Sequence, residues 1–247
     1  LASSMTLRPH SIRAVPRIDA HQHFWEPARG DYGWLTPELA TLYRDFTPAD
    51  QLALRQQAGI DATVLVQAAP TVAETDYLLG LATRHDFIRG VVGWIDMAAP
   101  EAVPTLERLA RHPAFRGVRP MLQDLADPGW IARAPIDAAV RALVRLDLRF
   151  DALVKTLHLP HLLDFAQRHP ALAIVIDHAA KPDIARGEFE AWLGPMRELA
   201  RLPQVYCKLS GLVTEAGDSW TVDGLRRYVD AVLARFGIRD EKRKGDK

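Results

Sequence analysis

A single cysteine, Cys207, stands in a chain of 247 residues, so no disulfide forms within it. Charge of either sign is not in excess, because 31 Lys and Arg meet 31 Asp and Glu for a formal net charge of zero. That balance gives no bulk attraction to nucleic acid or acidic lipid, and the expected partner is a small neutral or weakly anionic molecule. No apolar run approaches the ~20 residues that span a bilayer. The opening "LASSMTLRPHSIRAVPR" lacks the apolar stretch that marks secretion, so the expected compartment is the cytoplasm. Leu1 precedes Met5, which suggests a start upstream of the true one, or a fragment. Linkers and low-complexity tracts are lacking too. With 48% apolar and 25% charged residues, what remains is an ordinary globular chain with one core.

What is there is an alternation. Seven apolar, β-branched stretches recur: "RIDAHQHF" from 17, "ATVLVQA" from 62, "IRGVVGWIDM" from 88, "FRGVRPML" from 115, "LRFDALV" from 148, "LAIVIDHAA" from 172 and "QVYCKLSGL" from 204. Their near-continuous apolar character is that of parallel strands buried on both faces. Amphipathic helical patterns lie between them, among them 48–59, 74–85, 135–147, 158–169 and 221–237, with Thr47 as an expected N-cap, Pro48 at a helix start and Gly237 at a helix end. The first strand–helix junction, "HQHFWEPARGDYGW", carries none of the glycine pattern of a dinucleotide fold. About 250 residues of alternating units favour an α/β, TIM-type (β/α)8 barrel, whose chemistry sits at the C-terminal ends of its strands.

Polar groups collect at those ends. Strand one closes on His21 and His23, whose spacing of two puts both imidazoles on one face. Gln67 ends strand two, Trp94 and Asp96 strand three, Arg119 and Gln123 strand four, Asp177 and His178 strand six, Lys208 and Ser210 strand seven. Burying such groups unpaired costs about 1–3 kcal/mol each, so convergence on a ligand is the expected reason for them. Bland readings stand beside this one. Arg119 pairs with Asp96 or Asp124, or meets substrate. Lys208 either snorkels out of the mouth or touches substrate. Asp177, alternating with His178, is expected to face the helices and be structural. His158 caps a helix or approaches the site. His85, His112 and His169 sit at helix ends, where the dipole accounts for them. Trp25 and Trp34 are expected to wall a ligand, and Trp192 to be packing.

The segments "IDAHQHFW", "RDFTPADQL", "GVVGWIDMAAPEA", "FRGVRPMLQDLADPGWI", "IVIDHAAKPDI" and "VYCKLSGLVTEA" together resemble the amidohydrolase-related TIM-barrel hydrolases that include sugar-acid lactonases. The resemblance covers about residues 17–237. It implies hydrolysis of a small-molecule lactone by an activated water, with His21, His23 and His178 lining the active site. It also implies Arg119, Lys208, Gln67 and Trp25 as substrate-binding groups. His21, His23 and His178 would hold one divalent metal ion, zinc or manganese, if the chain uses one. No nucleic acid, membrane or particular oligomeric state is implied.

One departure stands out. The family's last strand reads like Gly-Ser-Asp-Trp-Pro and carries an aspartate expected to activate water, yet here the chain ends "GIRDEKRKGDK", eight charged residues in eleven. No buried strand has that composition. The expected organisation is a leader at 1–16, a barrel at 17–237 and a charged tail at 238–247. Such a chain is expected to have seven strands with open edges at the first and last, and to hydrolyse lactones poorly or not at all, the base being lost with the strand. Truncation or a frame shift is the simplest cause, and a catalytically silent barrel fragment is the rival. Among enzymes, the alternative is a pyrone or muconolactone hydrolase, whose carboxylated substrate calls for more arginines.

Overall fold

The computed structural model describes residues 15–237. All seven expected strands form: β1 (Ile18–Gln22), β2 (Ala62–Val66), β3 (Ile88–Gly93), β4 (Phe115–Val118), β5 (Arg149–Ala152), β6 (Ile174–Ile176) and β7 (Val205–Cys207). They lie side by side in chain order, every pair parallel. The sheet curls as a TIM-type barrel whose eighth place is not filled by any described residue, which leaves β1 and β7 as its edges. The charged tail lies outside the described residues.

Among the described residues seven α-helices lie between the strands, α1 (Pro48–Ala58), α2 (Val72–Arg84), α3 (Ala102–Leu109), the single turn α4 (Trp130–Arg133), α5 (Asp137–Arg145), α6 (Leu159–Arg168) and α7 (Phe189–Ala200), and α8 (Val222–Phe236) follows β7. Their starts follow from capping. Thr71 and Thr221 accept the N–H groups of Glu74 and Gly224 (3.0 and 3.1 Å), satisfying donors that a helix leaves unpaired. Thr47 stands at its expected place, with its N–H bonded to the Asp50 carboxylate (2.8 Å) and Pro48 at the first helical position. The longer helices after β4 lay an apolar stripe on the sheet. Leu162, Phe165 and Ala166 do so on α6, and Tyr228, Val232 and Phe236, spaced by four, do so on α8. A large side chain buried this way stabilises by about 1.5–3 kcal/mol.

Trp192 is packing as expected, 1% exposed, but it also donates its indole N–H to the Ala179 carbonyl (2.7 Å). That bond fixes the turn after β6, where the site begins. No helix among the described residues is long and apolar enough to cross a membrane.

Candidate active site

Strand ends converge at one point. His21 and His23 arrive on β1, Arg119 follows β4, Asp151 lies on β5, Asp177 and His178 follow β6, and Lys208 follows β7. His23 is fixed first. Its Nδ1–H donates to the Val66 carbonyl (2.8 Å), and because a carbonyl only accepts, Nε2 carries the lone pair. Its nearest side-chain neighbour is His21 Nε2, 3.1 Å away, which Arg119 also approaches at 3.4 Å. His21 Nδ1 faces Asp177 Oδ1 at 3.6 Å and Lys208 Nζ at 3.3 Å. The Lys208 contact joins β7 to β1 across the unfilled eighth place, so the polar cluster bridges a gap that no ladder bond crosses.

Asp177 is the centre of the cluster, and here the structure corrects the sequence. Simple alternation put it against the helices. In fact β6 ends at Ile176, and the chain then turns through four residues of left-handed backbone, His178, Ala179, Ala180 and Lys181, with φ of 51°, 51°, 59° and 45°. Alternation fails in such a turn, so Asp177 and His178 both reach the site. Non-glycine residues pay about 1–2 kcal/mol each for this conformation. The turn is held by Ala179 N–H to the Lys208 carbonyl (3.0 Å), by Trp192, and by Gly211, where a Cβ would stand only 3.0 Å from the His178 side chain. Strain braced from several sides is typical of functional positions.

The second correction concerns Arg119. Its ion-pair partner is neither Asp96 nor Asp124 but Asp177, at 3.3 Å. Its other terminal nitrogen donates to the Gln67 carbonyl. Gln67 returns the bond through its side-chain amide to the Arg119 carbonyl (2.7 Å), so the structure places Gln67 as a brace behind Arg119. Lys208 does not snorkel. It pairs with Asp151 at 2.6 Å and with Asp177 at 2.8 Å. Two cations and two carboxylates thus balance in a nearly dry site, where pairing is what makes burial tolerable.

Burial shapes the titration of every member. It lowers His21, lowers His23 well below the ordinary imidazole value with help from Arg119, and brings His178 down to about 4 with help from His21. All three imidazoles are neutral at pH 7. Burial opposes the charge on Asp177, yet His21, Lys208 and Arg119 hold it far below the carboxylate range. Burial opposes the Lys208 charge as well, and Asp151 and Asp177 outweigh it. Cys207 is pushed up to about 12 by burial, so it is no nucleophile.

Above this floor opens a cavity of about 450 Å³ lined by His23, His178, Arg119, Trp25, Trp34 and Lys181, with Met121, Gln123 and Asp124 at its side. Trp25 and Trp34 meet edge to face at 5.5 Å and form the expected wall. Their indole N–H groups are fixed on the Leu42 and Ala68 carbonyls (3.1 and 2.8 Å). His158 is the cap, its Nδ1 accepting the Lys155 N–H (3.1 Å).

Sequence reasoning did not single out Asp151, Lys181 or Glu74. Glu74 had a signal, the Thr-x-x-Glu pattern at 71–74 that opens a helix. Its fully buried carboxylate turns outward to take the N–H groups of Ala68 (2.9 Å) and Ala69 (2.8 Å), fixing the loop on which Trp34 hangs. Burial pushes Glu74 up to about 7, against the pull of those N–H groups. A carboxyl raised on folding favours the fold fully below its unfolded value and loses that contribution as pH rises through the folded one. From pH 5 to 8 the wild type should therefore lose about 2–3 kcal/mol relative to Glu74→Gln, measured by urea denaturation at both values. A variant that instead loses ground as pH rises would show that the two amides dominate and keep Glu74 ionised.

The amidohydrolase family description matches residues 18–239. The chain belongs to the amidohydrolase family. It is 52% identical over 221 residues to an L-fucono-1,5-lactonase of Burkholderia ambifaria, covering 90% of this chain and 76% of that protein. A second L-fucono-1,5-lactonase, from Burkholderia multivorans, is 40% identical over 239 residues, 90% of this chain and 78% of that one. Among solved structures, an amidohydrolase from Burkholderia multivorans with bound zinc superposes with a TM-score of 0.82 at 39% identity, covering 90% of this chain and 81% of that one.

Whether this amidohydrolase's residues suit a divalent cation is a question of donors. His21, Asp177 and His178 offer atoms within 4.8 Å of one another, two neutral imidazoles and a carboxylate, a set that suits zinc. The structure thus brings Asp177 into the grouping in which His23 was expected. Lys208 stands at Asp177 and has Asp151 to fall back on, so the set fits.

Proposed function

We propose that this amidohydrolase opens the ring of a small sugar-acid lactone by adding water at the ring carbonyl. The observation that carries the reading is the neutral imidazole cluster, charge-balanced by Arg119, Asp177, Lys208 and Asp151, beneath a cavity of about 450 Å³ walled by Trp25 and Trp34. That volume suits one substituted ring. The two L-fucono-1,5-lactonases support the same chemistry.

His178 is the proton acceptor in this reading. Its Nδ1 is engaged by Ser210 Oγ (2.9 Å), which orients the ring and leaves one nitrogen for the attacking water. Water oxygen bonds to the carbonyl carbon, the carbon–ring oxygen bond breaks, and the proton taken by His178 passes to the freed ring oxygen, which becomes the hydroxyl. Arg119 and Lys181, both lining the cavity, stabilise the developing oxyanion, a contribution of about 3 kcal/mol per donor. Trp25 and Trp34 exclude water from the rest of the ring. Were a divalent cation held by His21, Asp177 and His178, it would polarise the carbonyl and acidify water, and the free nitrogen of His178 would then be its ligand instead of the proton acceptor. The work of such an enzyme belongs to sugar-acid breakdown in the cytoplasm.

A panel of aldonolactones, followed by acid release, tests the reading. Expected is turnover of at least one neutral sugar lactone at a kcat/KM at least tenfold above that for a pyrone dicarboxylate. Faster opening of the dicarboxylate, or no lactone opened at all, would overturn it.

A further inference from the structure

A second and larger cavity, about 710 Å³, adjoins the first. Trp34, Met121 and Asp124 line both, so the two share a wall at the barrel mouth. Beyond that wall lie Trp94 and Trp130, with the carboxylates of Asp31 and Asp96. No Lys, Arg or His is among the lining residues described, so an anionic group finds no partner here.

We propose that this cavity is a subsite for a neutral sugar ring attached to the lactone, so that the amidohydrolase accepts glycosyl-substituted aldonolactones. The inference rests on the lactonase reading and extends it. Indole faces match the apolar C–H face of a pyranose, and carboxylates accept from its hydroxyls. The acceptors have capacity to spare. Asp96 uses one oxygen for the Ala98 N–H (3.0 Å) and Asp124 uses one for Gln123 (3.2 Å). Trp34 is held by Ala68, so its face is already in place and costs little entropy to use. Because Trp34 and Asp124 face both spaces, one molecule spanning them puts its lactone over the histidines and its second ring over Trp94 and Trp130.

Intrinsic tryptophan fluorescence of the whole chain, titrated with gluconate and with cellobionate, lactobionate and maltobionate, tests this, since the last three add one neutral hexose to the same acid. At least one of them should bind about tenfold more tightly than gluconate. Trp94→Ala and Trp130→Ala should each remove that advantage and leave gluconate within twofold, and Asp96→Asn, at an exposed position, should reduce it in a variant that keeps its packing. Equal affinity for all four acids, or equal weakening of gluconate by the substitutions, overturns the subsite and leaves the lactonase reading intact. Binding of cellobiose that needs Trp94, with no aldonate bound, keeps the sugar subsite and overturns the lactonase reading instead. Tetramethylammonium bound in preference to cellobiose makes the cavity a cation site and overturns the proposal, as does silence toward every probe.

Discussion

Asp177→Asn should cost about 3–5 kcal/mol of stability, measured by urea denaturation at pH 7. The substitution keeps the shape of the side chain and removes its charge. Arg119, 4% exposed, then has no carboxylate within reach, and Lys208 keeps only Asp151. Breaking a buried ion pair by removing one partner leaves an uncompensated charge, which is what makes the loss large. Asp151→Asn should cost less, because Lys208 retains Asp177 at 2.8 Å and Arg119 loses nothing. The damage should also be local to the mouth. The Lys208–His21 contact that joins β7 to β1 depends on the same centre, so amide exchange should rise first on those two strands. A loss below about 1 kcal/mol, or an equal loss for the two aspartates, would show that water screens the cluster and that Asp177 does not organise it.

His178→Ala should reduce kcat/KM on the best lactone by about 10²–10⁴, the usual contribution of a positioned acid–base group, while stability changes by no more than about 1 kcal/mol. His178 faces the cavity and supports no core. Alanine meets the same left-handed backbone, so the strain is unchanged. Ser210→Ala should give a smaller loss, about tenfold, because it frees the ring without removing it. Acid release and thermal melting of the same preparations separate the two effects. Wild-type turnover with a lowered melting point would make His178 a structural residue, and the water would need another base.

How much of this was written in the sequence can be argued residue by residue. The apolar strands between amphipathic helices specify a parallel sheet covered on both faces, the length and the absent dinucleotide glycines favour the barrel over an open sheet, and all seven strands formed where the pattern put them. His21 and His23 were legible as a pair because strand geometry is periodic. His158 stays open between cap and site until the structure places it on the Lys155 N–H, whereas Trp192 as packing was legible for a similar local reason. Asp177 was not. Its side depends on a left-handed turn at 178–181 that no propensity favours and that exists only because Trp192, Lys208 and Gly211 brace it from distant parts of the chain. The partners of Arg119 and Lys208 were equally hidden. Charge pairs are chosen by distance in space, and these join positions 58 and 57 residues apart in the chain. The elements and the chemical types at the strand ends follow from local periodicity. Tertiary structure alone decided which carboxylate meets which cation, because only the curl of the sheet brings the ends of β1, β4, β5, β6 and β7 to one point.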